Sequence, residues 1–292
     1  MSSEVKRTAG GALLLDGMQL RDETVAKIKA TIAAAGNPKI CLATVLIGDD
    51  PPSHIYVANK HKKAQEAGMV SKGLQLPADA TQAQVEKAVS ELVADKTVHG
   101  ILVQLPLPKH INTEAVLALL PVEKDVDGLT ERSLGRLVRD LPGHVPCTPL
   151  GVVRILQRYK IETVGKRVVV IGRSALVGLP QMLLLVRRSA DATVTVAHKS
   201  TKDMIEVCRE ADIIIAAAGA ARMVTAAHVK PGATVIDVGV TRINNKIVGD
   251  VDFDAVQAIA GAITPMPGGT GPMTIACLLE NTLEAARMQG AI

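Results

Sequence analysis

The chain has 292 residues, 48% of them hydrophobic and only 1% aromatic, so its length suggests one or two domains with aliphatic cores. Its net charge of +4 comes without a basic block, which excludes the usual signature of a nucleic-acid-binding surface. The sequence has no apolar run of about 18 residues, so it predicts no membrane span. The N-terminal apolar run is too short for a secretory signal, and we therefore expect a cytoplasmic protein.

Short apolar runs that alternate with helical segments predict an α/β fold. Continuous apolar runs are typical of parallel strands that are covered on both faces. The run at 193–197 alternates threonine with valine instead, and its β-branched residues still favour a strand. The predicted strands cover residues 40–48, 100–104, 168–172, 193–197, 213–217 and 234–238.

Two helix starts are predicted in the first half of the chain. Ser53 follows a turn and is a candidate N-cap, and Thr81 is a candidate N-cap for a second helix. On the first of these helices, Tyr56 and Lys60 are four residues apart and share one face. An aromatic ring beside an amine suits a flat ligand and a proton transfer. Lys60 taken alone, in the basic run 60–63, is also typical of a solvated helix charge.

Polar side chains follow in the segment 100–128. Gln104 ends an otherwise apolar strand, where the sites of α/β proteins gather. If it is buried, its amide must be hydrogen-bonded, either to a nearby backbone group or to Lys60. Farther on, Asp127 offers a carboxylate for ligand N–H groups, whereas Asp125 is more typical of a turn or cap residue.

The residues predict no metal site. The segment 125–128 resembles the start of a calcium loop, but nothing downstream supplies the remaining ligands. The cysteines offer no zinc-ligand spacing, so we expect separate reduced thiols. They are Cys41, Cys147, Cys208 and Cys277.

A turn-forming stretch at 141–143 predicts a domain boundary. Thr148 with Pro149 then reads as an N-cap and N1 proline that open a helix. We expect an N-terminal three-layer α/β substrate domain over 1–145 and a Rossmann-like dinucleotide-binding domain over 146–272. The last helix, within 273–292, is expected to return to the first domain, and a cleft is expected between the two domains.

The strand, turn and helix start at 168–180 are typical of a phosphate-binding loop. Gly172 lets the chain turn sharply, and Gly178 lets helix and strand pack closely. The helix N-terminus, with Arg173 and Ser174 beside it, offers unpaired N–H groups to a pyrophosphate. The usual middle glycine is missing, so a tight turn without a ligand remains the alternative.

The residues after the next strand bear on cofactor choice. An NAD-selective fold commonly has Asp or Glu there, whereas this chain has His198, Lys199 and Ser200. Together with Arg173, basic and hydroxyl groups at this place favour a 2′-phosphate, and therefore NADP over NAD. The alternative is that Lys199 is a solvated loop charge.

Five segments in this order resemble the bifunctional methylenetetrahydrofolate dehydrogenase/cyclohydrolase family across nearly the whole chain. The last of them, TPMPGGTGPMT, is highly specific as an ordered string. The segments are 48–60, 100–108, 124–128 (KDVDG), 237–240 (DVGV) and 264–274.

The resemblance implies two reactions on one folate. NADP+ oxidises 5,10-methylenetetrahydrofolate to the methenyl form, which is then hydrolysed to 10-formyltetrahydrofolate. The family's roles would make Lys60 the proton-transfer group, oriented by Gln104, with Tyr56 packed against the folate and Asp127 holding the pterin. A base lysine needs a lowered pKa, from burial or neighbouring cations.

The resemblance also implies that the loop with Pro267, Gly268 and Gly269 lies between cofactor and substrate, and that Val240 lines the nicotinamide pocket. It implies a homodimer in one-carbon metabolism, which supplies purine biosynthesis, without the synthetase activity of longer relatives.

Three alternatives stay open on the sequence. They are another Rossmann oxidoreductase of the shikimate dehydrogenase type, a non-catalytic nucleotide-binding protein, and a dehydrogenase with poor cyclohydrolase activity.

Overall fold

The computed structural model describes residues 6–244 and 246–292, except for the side chain of Pro52. These residues form two compact units. The three-stranded unit comprises Asp22–Cys147 and Ile275–Ile292. The six-stranded unit comprises Thr148–Thr274 together with the described residues up to Arg21. Each unit is an α/β structure built on a parallel sheet.

The helices and strands alternate along most of the chain. In chain order they are β1 (Leu13–Leu14), α1 (Gly17–Ala34), β2 (Cys41–Ile47), α2 (Pro51–Glu66), β3 (Val70–Leu76), α3 (Gln82–Ala94), β4 (Gly100–Val103), α4 (Thr113–Leu117), α5 (Glu131–Val138), α6 (Cys147–Arg158), β5 (Arg167–Ile171), α7 (Gly178–Val186), β6 (Thr193–Ala197), α8 (Met204–Arg209), β7 (Ile213–Ala216), β8 (Thr234–Asp237), β9 (Thr241–Ile243), β10 (Lys246–Val248), α9 (Phe253–Val256), β11 (Ala262–Ile263) and α10 (Thr270–Met288). No helix within residues 6–244 and 246–292 has the length and apolarity that a membrane crossing requires.

The sheet of the three-stranded unit has the order β3-β2-β4, with all strands parallel. The central strand β2 is buried along its whole length. Its residue Val45 pairs with Leu74 on one side and Val103 on the other. Helix α3 contributes Val85 and Val89 to the same core, so the aliphatic core expected from the composition is confirmed.

The sheet of the six-stranded unit has the order β1-β11-β8-β7-β5-β6, and every neighbouring pair is parallel. The expected α/β class is confirmed. All six predicted strands are present, as β2, β4 and β5 to β8, and each bound lies within one residue of its prediction. Continuous apolar runs identified five of them, because a strand covered on both faces has no solvent side, whereas the partly exposed edge strand β6 was identified by its β-branched residues.

Five strands lacked a readable pattern. The edge strand β3 contains Lys72, Gly73 and Gln75, which are all exposed, so it presents no continuous apolar run. β1 and β11 have two residues each. β1 pairs with β11, and β11 also pairs with β8. β1 therefore belongs to the six-stranded unit, although residue 1 onward was expected in the first domain. The hairpin of β9 and β10 is short and largely exposed.

The predicted N-cap at Thr81 is confirmed as a reciprocal capping box. The Thr81 hydroxyl accepts a hydrogen bond from the backbone N–H of Gln84 at 3.3 Å, and the Gln84 side-chain oxygen accepts one from the backbone N–H of Thr81 at 2.8 Å. Two donors of the first helical turn, which have no partner within the helix, are thereby satisfied.

The two other predicted caps are wrong. Helix α2 is capped by Asp50, whose Oδ2 accepts hydrogen bonds from the backbone N–H and the hydroxyl of Ser53, at 3.0 and 2.7 Å. The cap precedes Pro51 because a proline fits the first helical position, where an N–H has no partner. Helix α6 begins at Cys147, so Thr148 is already helical, and its hydroxyl lies 3.1 Å from that of Thr274.

The two units divide between Cys147 and Thr148, beyond the turn at 141–143. The intervening segment stays with the three-stranded unit because Asn281 of α10 holds it. The Asn281 side-chain nitrogen donates to the carbonyl of Val145 at 2.9 Å and contacts the Cys147 sulfur at 3.7 Å.

Candidate functional site

Lys60 and Gln104 are in direct contact in the three-stranded unit. Lys60 lies on α2 and is only 9% exposed, and Gln104 follows β4. The Lys60 ammonium donates to the Gln104 side-chain oxygen at 2.8 Å, while the Gln104 side-chain nitrogen donates to the carbonyl of Leu105 at 2.8 Å. Both partners considered for Gln104 are thus present. Because its amide nitrogen is engaged, its oxygen is fixed toward Lys60.

The surroundings of Lys60 favour its neutral amine. Burial lowers the pKa of Lys60, and the nearby Asp127 and Cys147 only partly offset that effect. A positive charge loses much of its hydration in such a place, which is why burial dominates. Lys60 is therefore a buried amine that can exchange a proton, rather than a solvated helix charge.

Asp127 is the carboxylate that acts on Lys60. Burial raises the pKa of Asp127, and the Lys60 ammonium works against that shift. Asp125 has a different task, because its carboxylate accepts hydrogen bonds from the N–H groups of Leu129 and Thr130, at 3.2 and 2.9 Å. Its interpretation as a turn residue is confirmed, and Asp127 remains the carboxylate available to a ligand.

Cys147 belongs to this cluster and was missed as a site residue. Its sulfur lies 3.3 Å from the carbonyl oxygen of Val126 and also within hydrogen-bond reach of the Asp127 carboxylate, so its single S–H can be donated to either acceptor. Burial and the Asp127 charge raise the pKa of the Cys147 thiol well above its usual value. The sequence carried no signal for this contact, because no metal or redox spacing accompanies Cys147. The described cysteines are all free and buried.

Tyr56 lies one helical turn before Lys60 on α2 and is 39% exposed. An exposed ring beside a buried amine gives the cluster a flat apolar face. The structure thus brings Lys60, Gln104 and Asp127 together and places Tyr56 on the same helix as Lys60.

The phosphate loop connects β5 to α7 in the six-stranded unit. A Cβ at Gly172, where φ is +129°, would lie 2.2 Å from the carbonyl oxygen of Ala217, and a Cβ at Gly178 would lie 2.1 Å from that of Gly172. Both positions therefore require glycine. Ser174 tightens the turn, since its hydroxyl accepts the N–H of Val177 at 3.1 Å.

The cationic and hydroxyl groups expected at the cofactor lie on neighbouring strand ends. The N–H of Gly172 donates to the carbonyl of Ala197 at 2.8 Å, so the loops after β5 and β6 leave the sheet side by side. Arg173 and Lys199 are exposed there. Ser200 is exposed as well, and its N–H donates to His198 Nδ1 at 3.3 Å.

The glycine loop fits a dinucleotide because helix α7 begins at Gly178 without a side-chain cap, which leaves N–H groups for an anion. Val240, after β8, is 51% exposed. The loop with Pro267, Gly268 and Gly269 lies against the start of α1, where the N–H of Gly17 donates to the carbonyl of Gly268 at 2.9 Å.

Comparison with known proteins gives matches along nearly the whole chain. Residues 15–127 match the catalytic domain, and residues 146–290 the NAD(P)-binding domain, of the tetrahydrofolate dehydrogenase/cyclohydrolase family. The bifunctional protein FolD of Methanospirillum hungatei is 50% identical over 94% of this chain and 98% of its own.

Solved structures show the same similarity. The FolD methylenetetrahydrofolate dehydrogenase/cyclohydrolase of Campylobacter jejuni is 43% identical, with a TM-score of 0.92 over 95% of this chain and 99% of its own. The Trypanosoma brucei enzyme, solved with NADP cofactor and an inhibitor, is 37% identical, with a TM-score of 0.91 over 95% of this chain and 98% of its own.

Proposed function

Because the chain belongs to the tetrahydrofolate dehydrogenase/cyclohydrolase family, we propose that the cluster around Lys60 is the site where its folate reacts. The chain is a bifunctional enzyme of one-carbon metabolism. It oxidises 5,10-methylenetetrahydrofolate to 5,10-methenyltetrahydrofolate with NADP+, and it hydrolyses that product to 10-formyltetrahydrofolate. Membership of this family replaces the shikimate-type and the non-catalytic alternatives.

The observation that carries the proposal is the hydrogen bond of 2.8 Å between the buried Lys60 amine and the Gln104 side-chain oxygen. In the hydrolytic step, water attacks the cationic methenyl carbon and must lose a proton. Lys60 accepts that proton as a neutral amine, a state that its burial favours. Gln104 holds the amine in one orientation, because its own nitrogen is bound to the Leu105 carbonyl.

Asp127 and Tyr56 bind the folate in this proposal. The pterin ring carries amino and N–H donors, and a carboxylate accepts two such donors at once. Asp127 suits that task because its carboxylate interacts with the Lys60 and Cys147 side chains, whereas the Asp125 carboxylate is held by backbone N–H groups. The Tyr56 ring is exposed, and it offers the flat surface against which a pterin or aminobenzoate ring packs.

The six-stranded unit holds the cofactor in this proposal. When bound, NADP+ supplies the hydride acceptor. Backbone N–H groups between Gly172 and Gly178 receive the pyrophosphate, while Arg173, Lys199 and Ser200 receive the 2′-phosphate. Val240 and the loop 267–269 would line the nicotinamide, and so help to hold it in the orientation that hydride transfer requires.

An absorbance assay tests the function. Purified protein with methylenetetrahydrofolate and NADP+ should produce NADPH, and methenyltetrahydrofolate added alone should decay faster than in buffer. NAD+ in place of NADP+ should give a clearly lower kcat/KM. A protein that forms NADPH without accelerating methenyl decay would be a dehydrogenase with poor cyclohydrolase activity, and the proposed role of Lys60 would then be wrong.

We also propose that the protein acts as a cytoplasmic homodimer that supplies purine biosynthesis. The free, buried cysteines are compatible with a reducing compartment. Light scattering during size-exclusion chromatography should give twice the mass of one chain. A mass of one chain at micromolar concentration would contradict the dimer.

A further inference from the structure

The loops after β5, β6, β7 and β8 leave the carboxyl edge of the six-stranded sheet as neighbours. Pairing continues one residue beyond these strands, so the loop after β7 runs beside the phosphate loop. The N–H of Gly172 donates to the carbonyl of Ala197, and the N–H of Ala217 donates to the carbonyl of Ile171. The N–H of Val238 donates to the carbonyl of Ala216, and all three hydrogen bonds are 2.8 Å long. In open parallel sheets, ligands bind at this edge.

The buried carboxylate of Asp250 holds the loop after β7. Asp250 is 0% exposed, and its Oδ2 accepts hydrogen bonds from the N–H groups of Ala218 and Gly219, at 2.7 and 2.8 Å. Ala218 and Gly219 are themselves exposed. The loop therefore presents one side to solvent while its N–H groups are turned inward and fixed.

A second buried carboxylate, that of Asp237 at the end of β8, holds Asp250 in turn. Asp237 Oδ1 accepts the N–H groups of Asp250 and Gly239, both at 3.0 Å. Its Oδ2 accepts the N–H of Val251 at 3.0 Å. The two carboxylates thus connect the loop after β8, the segment after β10 and the loop after β7.

The two carboxylates pack directly against two glycines. A Cβ at Gly239 would lie 2.1 Å from the Asp250 carboxylate, and a Cβ at Gly249 would lie 1.9 Å from Oδ2 of Asp237. Real Cβ atoms essentially never show contacts below 3.0 Å, so both positions require glycine and the carboxylates fill the space beside them.

One oxygen of Asp250 is unsatisfied, since its buried Oδ1 has no hydrogen-bond partner among the described residues. Within residues 6–244 and 246–292, backbone N–H groups are the partners of both carboxylates, and neither makes an ion pair. Burial raises the pKa of Asp237 to about 6, and repulsion from Asp250 contributes. Burying carboxylates without a cation is costly, and such costs concentrate at functional sites.

We propose that Asp250 is a positioning residue for the dehydrogenase reaction, and that it fixes the loop after β7 in the shape that receives NADP+. The inference rests on the proposed cofactor site. Asp250 does not touch the cofactor, because it is fully buried. It acts through the exposed backbone of Ala218 and Gly219, which it holds beside the phosphate loop.

The test compares three variants by calorimetric titration with NADP+ in the absence of folate, and by methenyl decay in the absence of cofactor. Asp250→Ala should raise the Kd for NADP+ by about tenfold or more, since two charge-assisted hydrogen bonds are lost. Its cyclohydrolase rate should stay within about twofold of the wild type. Asp250→Asn should bind within about threefold of the wild type, because one amide oxygen can still accept both N–H groups.

Asp252→Asn is the matched control, since Asp252 lies two residues away and caps α9 without a side-chain hydrogen bond. It should change neither measurement. Asp250→Ala with an unchanged Kd would overturn the proposal, and so would an equal loss of cofactor binding and cyclohydrolase activity, which indicates a purely structural role.

If Asp250→Ala is not recovered as folded protein, Asp250→Ser replaces it, because its hydroxyl is a shorter acceptor. A Kd for NADP+ above that of the wild type, with cyclohydrolase activity retained, would support the proposal. A wild-type Kd, or the loss of cyclohydrolase activity, would overturn it. A wild-type protein that does not bind NADP+ would overturn the proposed cofactor site, and this inference with it.

Discussion

Lys60 shows how two opposing effects set the protonation of one side chain. Burial removes water from the ammonium and lowers its pKa, whereas the Asp127 carboxylate raises it. Burial is the larger effect. A buried lysine with one carboxylate nearby therefore still releases its proton more readily than a surface lysine does. The amine can take up a proton again without leaving the site.

Lys60→Met should reduce the cyclohydrolase kcat at least about 100-fold, because general acid–base groups contribute that much or more. Dehydrogenase activity should fall much less, since hydride transfer needs no base. Lys62→Met is the control, as Lys62 is exposed on the same helix. Undiminished methenyl decay in a folded Lys60→Met protein would contradict the assignment.

Asp127→Asn should move the pH dependence of the cyclohydrolase in a defined direction. The variant removes the charge that raises the pKa of Lys60, so this pKa falls further. Activity that needs the neutral amine rises with pH through the pKa of Lys60. The rising limb of kcat, measured at saturating folate, should therefore move to lower pH.

The same variant should raise the folate KM of both reactions about tenfold. The asparagine side chain has an NH2 donor where the aspartate has its second acceptor oxygen, so one hydrogen bond from the pterin is lost. A rising limb that moves to higher pH would contradict the electrostatic account. A KM that rises only for the hydrolytic step would contradict the anchoring role of Asp127.

At the scale of elements, caps and strand ends position the site residues. Helix α2 starts where Asp50 accepts hydrogen bonds from Ser53, and this start determines which residues of the helix face the sheet. Gln104 reaches Lys60 because β4 ends one residue earlier, at Val103. A shift of one residue in either element would turn the side chain to another face.

Thr81→Ala should lower the free energy of unfolding by about 1 kcal/mol, because it removes the acceptor of the α3 capping box. Both activities should stay unchanged in the native range. Urea denaturation followed by circular dichroism measures the loss. Thr81→Ser is the control, since it keeps the oxygen; an equal loss in both variants would show that the methyl group, and not the cap, stabilises α3.

At the scale of the whole molecule, the proposed folate cluster and the proposed cofactor loop belong to different compact units. The cluster of Lys60, Gln104 and Asp127 belongs to the three-stranded unit, and the phosphate loop belongs to the six-stranded unit. Damage confined to the cofactor loop is therefore expected to remove the dehydrogenase activity and to leave methenyl hydrolysis in place.

Replacing Arg173 and Lys199 together by alanine should raise the Kd for NADP+ at least about tenfold and leave the weaker affinity for NAD+ nearly unchanged. Methenyl decay without cofactor should stay at the wild-type rate. Arg188→Ala is the control, an exposed charge after α7. Equal losses for the two cofactors would remove the argument for a 2′-phosphate site at these residues.

The sequence by itself determined the features that depend only on residues close to one another along the chain. Six strands and the Thr81 cap could be predicted because each depends on residues within one short segment. The family was determined too, since ordered motifs such as 124–128 and 264–274 identify it without any contact.

Only the tertiary structure decided which distant groups meet. Cys147 contacts Asp127, and Asn281 holds Cys147 from a helix more than a hundred residues later. Asp250 meets Ala218 and Gly219 in the same way. Such contacts depend on how whole elements pack, and packing depends on the combined shape of many side chains. A local pattern therefore states which groups are available, and the folded chain alone sets their partners.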